Sequence, residues 1–77
     1  MTDNVNHPQH YQSGNGIECI DAIEACTEDM PSIVAPHIAN VIKYCWRWHR
    51  KGGVESLRKA RWYLDRAIDR LVKEGNA

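Results

Sequence analysis

Not one lysine or arginine occurs among residues 1–42, whereas residues 43–77 hold all ten of the chain's basic residues. The first stretch carries six acids (Asp3, Glu18, Asp21, Glu24, Glu28 and Asp29) and the second four (Glu55, Asp65, Asp69 and Glu74), so the two bear −6 and +6 and cancel to a formal net charge of zero. A neutral total removes the global reason for wrapping DNA, where basic proteins gain affinity by releasing counterions, and no sequence-specific nucleic acid partner is expected. Also missing is a long apolar run with a basic flank, which a signal peptide or a membrane span would need, so no membrane association is expected. Three cysteines, Cys19, Cys26 and Cys45, are an odd number for a disulfide framework, and the expectation is a cytosolic protein with reduced thiols. The phosphate-loop pattern G-x-x-x-x-G-K-[ST] appears nowhere, and without strand-like alternation there is no parallel sheet to mount it on. A kinase of the common architecture is excluded.

What is present is short and helical. A chain of 77 residues makes one domain, and a domain of this size buries only about 60% of its unfolded surface, so a homo-oligomer is expected to supplement its core. The charge asymmetry serves either of two ends. It steers an anionic ligand to the second half, or it sets the acidic half of one subunit against the basic half of another.

Residues 1–16, rich in Asn, Gln, Ser and Gly with Pro8 among them, lack apolar periodicity and are expected to form an extended N-terminal arm. Its His7, His10 and Tyr11 suit an arm that folds over a pocket or onto a neighbouring subunit, as against a frayed terminus. Residues 17–77 are expected to form a single three-helix domain. From Ile17 to Cys26 the apolar residues Ile17, Ile20, Ile23 and Cys26 recur every three positions, which predicts a short first helix with Glu18, Asp21 and Glu24 on its wetter side. Met30-Pro31 breaks the chain, Ser32 offers an N-cap, and Pro36 is tolerated in the first turn of the next helix. That second helix is predicted over Ile33 to Arg50 with Val34, Ile38, Val41, Ile42, Cys45 and Trp48 as its core stripe, and with Asn40, Lys43, Tyr44, Arg47 and Lys51 along the opposite face. Gly52-Gly53 supplies the positive φ of a stop. A third helix follows from Val54 to Glu74, with Leu57, Ala60, Leu64, Ala67, Ile68 and Leu71 pointing inward and Gly75-Asn76 ending it. The short link predicts an all-α fold, in which the first helix packs on a long antiparallel helical hairpin.

The chemistry concentrates on the second helix. Lys43, Tyr44 and Arg47 combine a point charge, a π-face with a hydroxyl and a planar fork, which together suit a phosphate and a base; Asn40 adds a donor and an acceptor for a base edge. The same stripe also fits a solvated amphipathic face. Trp46, Trp48 and Trp62 are expected as core or interface anchors. Lys51-Gly52-Gly53 is either a tight inter-helix turn or a place where free amides at the start of the third helix hold an anion. Glu18 and Asp21 are spaced to share a Mg²⁺ that bridges phosphates, or else form ordinary helix surface. His7-x-x-His10 with Cys19 and Cys26 has zinc ligand types without the paired short spacings of a structural site. Catalysis by a cysteine lacks support, since all three thiols fall in or beside predicted apolar stripes.

Taken in order, His10-Tyr11, Gly14, Gly16-Ile17-Glu18-Cys19-Ile20-Asp21, Asn40-x-x-Lys43-Tyr44-x-x-Arg47, Lys51-Gly52-Gly53 and Leu57-x-Lys59-Ala60-x-x-Tyr63-Leu64 resemble the small bacteriophage proteins of the SaV-like family, catalogued as a domain of unknown function. The family includes a region of a phage nucleotide kinase that phosphorylates deoxynucleoside monophosphates without a Walker motif, and SaV itself is linked to a lactococcal abortive-infection defence. The resemblance implies a nucleotide-handling or anti-defence phage protein in the cytoplasm of the infected bacterial host. Carried over by position, it makes His10, Glu18 and Asp21 candidate catalytic residues, the last two with possible Mg²⁺. Tyr11, Asn40, Lys43, Tyr44, Arg47, Lys51, Gly52 and Gly53 become the candidate ligand-binding set. The chain departs from the family in having Ala39 where Gly is frequent, and Ser56 where Asp is frequent.

Two functions follow. The first is a nucleotide-binding protein with kinase-type activity, which at this size needs a subunit interface to orient two nucleotides and exclude water. The alternative is a non-catalytic oligomer that sequesters a nucleotide signal or contacts a host defence protein, for which a cationic and aromatic pocket suffices. A helical Mg²⁺-dependent pyrophosphohydrolase would need a second acidic helix motif, for which Asp65 and Asp69 are a poor match.

Overall fold

The structure, a computed structural model, describes residues 16–75. The predicted arm, with His7, His10 and Tyr11, falls outside the described residues apart from its last position. Three helices follow in order: α1 (Cys19–Thr27), α2 (Ala35–Arg47) and α3 (Gly53–Lys73). α2 and α3 pack as a helical hairpin and α1 packs on α2, so the all-α architecture is as expected. No described helix is long and apolar enough to cross a membrane.

α1 starts two residues later than expected and turns a different side inward. Cys19 is buried and Ile23 half-buried, whereas Ile17 and Ile20 are 50% and 48% exposed and Cys26 is exposed. A repeat of three drifts around a helix of 3.6 residues per turn, so Ile17, Ile20, Ile23 and Cys26 cannot share one face over ten residues. The face that packs is Cys19, Ala22, Ile23 and Thr27, the last of which donates its hydroxyl to the Ile23 carbonyl at 2.8 Å.

α2 is shorter at both ends than predicted. The amides of Val34 and Ala35 both donate to the Pro31 carbonyl, at 3.1 and 3.0 Å, which winds residues 31–35 into a turn before the helix begins. The N-cap is therefore Val34, without a side-chain cap bond, and not Ser32. Pro36 sits in the first turn, where the missing N–H leaves no helical acceptor short of a donor. The expected core stripe is only partly inward: Val34 is buried and Ile38, Val41 and Ile42 are half-buried, but Cys45 is exposed and Trp48 is 40% exposed. Trp62 is not in the core either, at 61% exposed.

The stripe of α3 is rotated as well. Ala60 and Ala67 are buried as expected and Leu71 is half-buried, but Leu57, Leu64 and Ile68, also expected inward, are exposed, and Ser56 is buried in their stead. With half-buried Tyr63, the buried Ser56, Ala60 and Ala67 run at spacings of four, three and four, the seam by which one helix lies along another. Ala60 and Ala67 sit one turn either side of Tyr63, and their small side chains let α2 come close enough to meet its ring. Packing the leucine ridge inward instead would have held the two backbones apart and separated the aromatic rings.

The hairpin turn is built by glycine and closed by serine. Gly52 and Gly53 have φ of 90° and 52°, conformations that ordinary side chains resist. They let the amides of Lys51 and Gly53 reach back to the carbonyls of Arg47 and Trp48, at 2.8 and 3.0 Å. Ser56, 1% exposed, donates its hydroxyl to the Lys51 carbonyl at 3.0 Å, tying the first turn of α3 to the loop before it. At the far end Gly75, with φ 79°, ends α3 as expected.

A Cβ at Gly52 would collide with the Ser56 side chain, whereas one at Gly53 would meet nothing within 4 Å. Gly53→Ala should therefore cost only the left-handed penalty of about 1–2 kcal/mol. Gly52→Ala adds the displacement of Ser56 and should be clearly more destabilising, a ranking that urea denaturation of the two variants reads directly.

Candidate functional site

The predicted cationic stripe of α2 does not stand in solvent opposite the core. Asn40, Lys43, Tyr44 and Arg47 are all half-buried, and only Lys51 is exposed. The reason is that this side of α2 is one of those that α3 covers. The Tyr44 ring stacks on Tyr63 of α3 with centroids 5.9 Å apart and planes 12° from parallel. His37, two turns earlier on α2, stacks on the same Tyr63 ring at 6.4 Å and 27°. Trp62 meets Tyr63 edge-on at 5.0 Å and 86°. These spacings lie within the range where aromatic pairs attract beyond simple burial.

Cations gather on this aromatic ladder. Lys43 Nζ and the Arg47 guanidinium carbon each lie 4.7 Å from the Tyr44 ring centroid, and Lys59 Nζ of α3 lies 5.6 Å from it. Each contact is within reach of a cation–π attraction. Three positive charges around one ring also repel one another, and that repulsion falls when an anion arrives. Lys59, from α3, was absent from the predicted site, as were His37, Trp62 and Tyr63. Its signal was available in the motif that places Lys59 one turn before Tyr63, but only the hairpin register shows that it faces Tyr44.

The remaining predicted residues divide. Asn40 donates through Nδ2 to the Pro36 carbonyl of its own helix at 3.1 Å. The Gly53 amide is engaged with the Trp48 carbonyl, so the Lys51-Gly52-Gly53 segment has the bonding of a tight turn. Glu18 is the N-cap of α1 and Asp21 lies in its first turn. His10 and Tyr11 fall outside the described residues, as do His7 and the proposed His7-x-x-His10 pair. Among the described residues, no group of three or more His, Cys, Asp or Glu side chains is placed to hold a metal ion. Ser56, where an acid is frequent in the resembling family, is buried and bonded to the turn, which makes this position structural in the present chain.

Lys43 also ties the cluster to α1. Burial pushes the Cys19 thiol above its ordinary value of 9.0, and the Lys43 ammonium pulls it the other way without overcoming the burial. The thiol therefore stays protonated at neutral pH and is no nucleophile. Cys26 and Cys45 are exposed free thiols, contrary to their predicted place in apolar stripes.

A chromogenic thiol reagent should accordingly titrate Cys26 and Cys45 quickly in the native protein and Cys19 only as the chain unfolds. The folded state keeps the Cys19 proton at a pH where the unfolded chain releases it. This contribution to stability is complete below 9.0 and declines as pH rises through and above it. Urea midpoints measured on either side of that pH should show the decline, and Cys19→Ala should flatten it.

With this geometry in place, comparison with known proteins gives one match. A family model described as a protein of unknown function (DUF3310) matches residues 5–65, a span that holds all of α1, all of α2 and the α3 residues of the aromatic ladder. No curated protein and no solved structure matches the chain. Since the matched span is well over half of the 77 residues, the chain belongs to the DUF3310 family.

Proposed function

We propose that the protein binds a nucleotide, or a closely similar phosphate-bearing small molecule, at the cluster formed by Lys43, Tyr44, Arg47 and Lys59. The observation that carries this reading is the convergence of three cations from two helices on the single Tyr44 ring, at 4.7, 4.7 and 5.6 Å. Phosphate oxygens would take the ammonium groups and the guanidinium fork. The exposed indole of Trp62, set edge-on to Tyr63, would offer the base a stacking surface. Asn40, Lys51 and the glycine turn border this region on α2 and its C-terminal loop.

The motif resemblance extends the proposal to a SaV-like bacteriophage protein acting in the cytoplasm of an infected bacterium. Two outcomes are then distinct. In the kinase-type reading, Glu18 and Asp21 at the start of α1 position Mg²⁺ and His10 or Tyr11 closes the site. Mg²⁺ suits one or two carboxylates together with substrate phosphates, so a pair of acids meets its need. The ion would neutralise phosphate charge, while Lys43 and Arg47 orient the ligand. In the sequestration reading, the same cations hold the nucleotide without turnover, or a host defence protein meets the basic face. Binding alone asks only for cations and rings, which Lys43, Arg47, Lys59 and Tyr44 supply together.

Titration calorimetry and native mass spectrometry against mono-, di-, tri- and cyclic nucleotides with Mg²⁺ test the proposal. A stoichiometric adduct is expected, weakening as salt rises. Lys59→Ala, a change at an exposed position, should lower affinity by about tenfold or more, on the scale of one lost charge-assisted hydrogen bond. Glu18→Gln with Asp21→Asn should abolish conversion of the ligand, but not its binding, if the protein is a kinase, and should change nothing if it is a sponge. Absence of an adduct with every nucleotide would sink the reading.

A further inference from the structure

α3 carries an apolar ridge that nothing among the described residues covers. Leu57, Leu64 and Ile68 are 38%, 44% and 49% exposed, and Val54 and Val72 at its ends are 60% and 57% exposed. With Arg61 the ridge occupies positions 54, 57, 61, 64 and 68, alternating three and four residues apart, which is again the seam of a helix packed along a neighbour. It is not the seam that α2 uses, because Ser56, Ala60, Tyr63 and Ala67 lie round the helix from it. Among the described residues the buried apolar ones are Cys19, Val34, Ala60 and Ala67, so α3 leaves larger aliphatic side chains outside than this core encloses. Monomers seldom leave so continuous a stripe in water.

The charges beside the ridge select its occupant. Arg58 and Arg61 lie toward the start of α3 and Asp65 and Asp69 toward its end, all four exposed. Let a second α3 run antiparallel with its Ile68 against Leu57 and its Leu64 against Arg61. Arg58 and Arg61 of each copy then run beside Asp65 and Asp69 of the other. A two-fold axis passing between Trp62 and Tyr63 makes every contact twice, as an isologous interface requires. The stem of Arg61 lies over the opposing leucine while its guanidinium reaches the acids. A parallel pairing at the same positions sets arginine against arginine and aspartate against aspartate, which opposes association. We propose that the α3 ridge is the interface of a homodimer in which two copies of this chain pack antiparallel along their third helices. The inference does not depend on nucleotide binding, since the aromatic ladder and its cations lie on the other flank of the buried seam.

A charge-swap series read by sedimentation equilibrium on the full chain tests it. The wild type should show at least twice the 8.8 kDa chain mass. Arg58→Glu with Arg61→Glu makes the flank uniformly acidic, and Asp65→Lys with Asp69→Lys makes it uniformly basic. Each double variant alone should fall to half the wild-type mass while keeping its helical circular dichroism. An equimolar mixture of the two should return to the wild-type mass, because each then meets opposite charge. A monomeric wild type overturns the proposal. So does an assembly whose mass neither double variant changes, which would place the contact elsewhere, on the arm or another face.

Discussion

The stack of Tyr44 on Tyr63 is the contact on which the rest of the hairpin depends. It fixes which side of α2 meets α3, and thereby which residues of each helix are left outside. A ring on a helix surface needs room opposite, and α3 provides it with Ala60 and Ala67 on the turns that flank Tyr63. Close approach of the backbones is what makes the small residues the most buried ones of α3, together with Ser56, and it is why Leu57 and Leu64 face outward. Large aliphatics usually decide a helical core through the area they bury. Here ring geometry and the space beside it outrank area within the single chain.

The same stack explains why positive charge accumulates at the junction of α2 and α3. Lys43 and Arg47 flank Tyr44 on its own helix at i−1 and i+3, and the hairpin register adds Lys59 from the facing helix. A tyrosine face attracts each cation without cancelling its charge. The acidic half of the chain contributes α1, which packs on α2 and brings the environment of Lys43 to Cys19. Part of the acidic stretch of the sequence thus packs against the helix that begins the basic one, at the α1–α2 contact.

Much of this architecture was legible in the sequence. The three helices, the glycine turn and the stop at Gly75 follow from local signals that do not depend on tertiary contacts, and they stand close to where those signals put them. The faces were legible only in part: Val34, Ala60 and Ala67 were expected inward and are buried, whereas the large aliphatics of α3 were misassigned. A stripe of Leu57, Leu64 and Ile68 looks like a core to any count of apolar periodicity, since periodicity reports that a side will be covered and not by what. The pairing of Tyr44 with Tyr63 is a long-range fact that fixed spacing along one helix cannot reveal. For the candidate site, Lys43, Tyr44 and Arg47 were found by their shared face. Lys59, Tyr63 and His37 needed the hairpin register, and Ser56 needed the fold of the turn to be recognised as a structural residue.

α3 thus divides into three sides with different demands. One, built from Ser56, Ala60, Tyr63 and Ala67, is closed by α2. A second, with Lys59 and Trp62, joins the cationic cluster, and its charge keeps it from packing against another like itself. The third, the leucine ridge, is apolar at its centre and carries opposite charges toward its two ends. Like-charged sides repel their copies, whereas a side with basic and acidic halves attracts its own copy when turned end for end. Segregating these demands around one helix would let the proposed assembly and the proposed anion binding proceed without competing for surface. In the proposed dimer both cationic clusters remain open because they stand on the flank that the two-fold contact does not use.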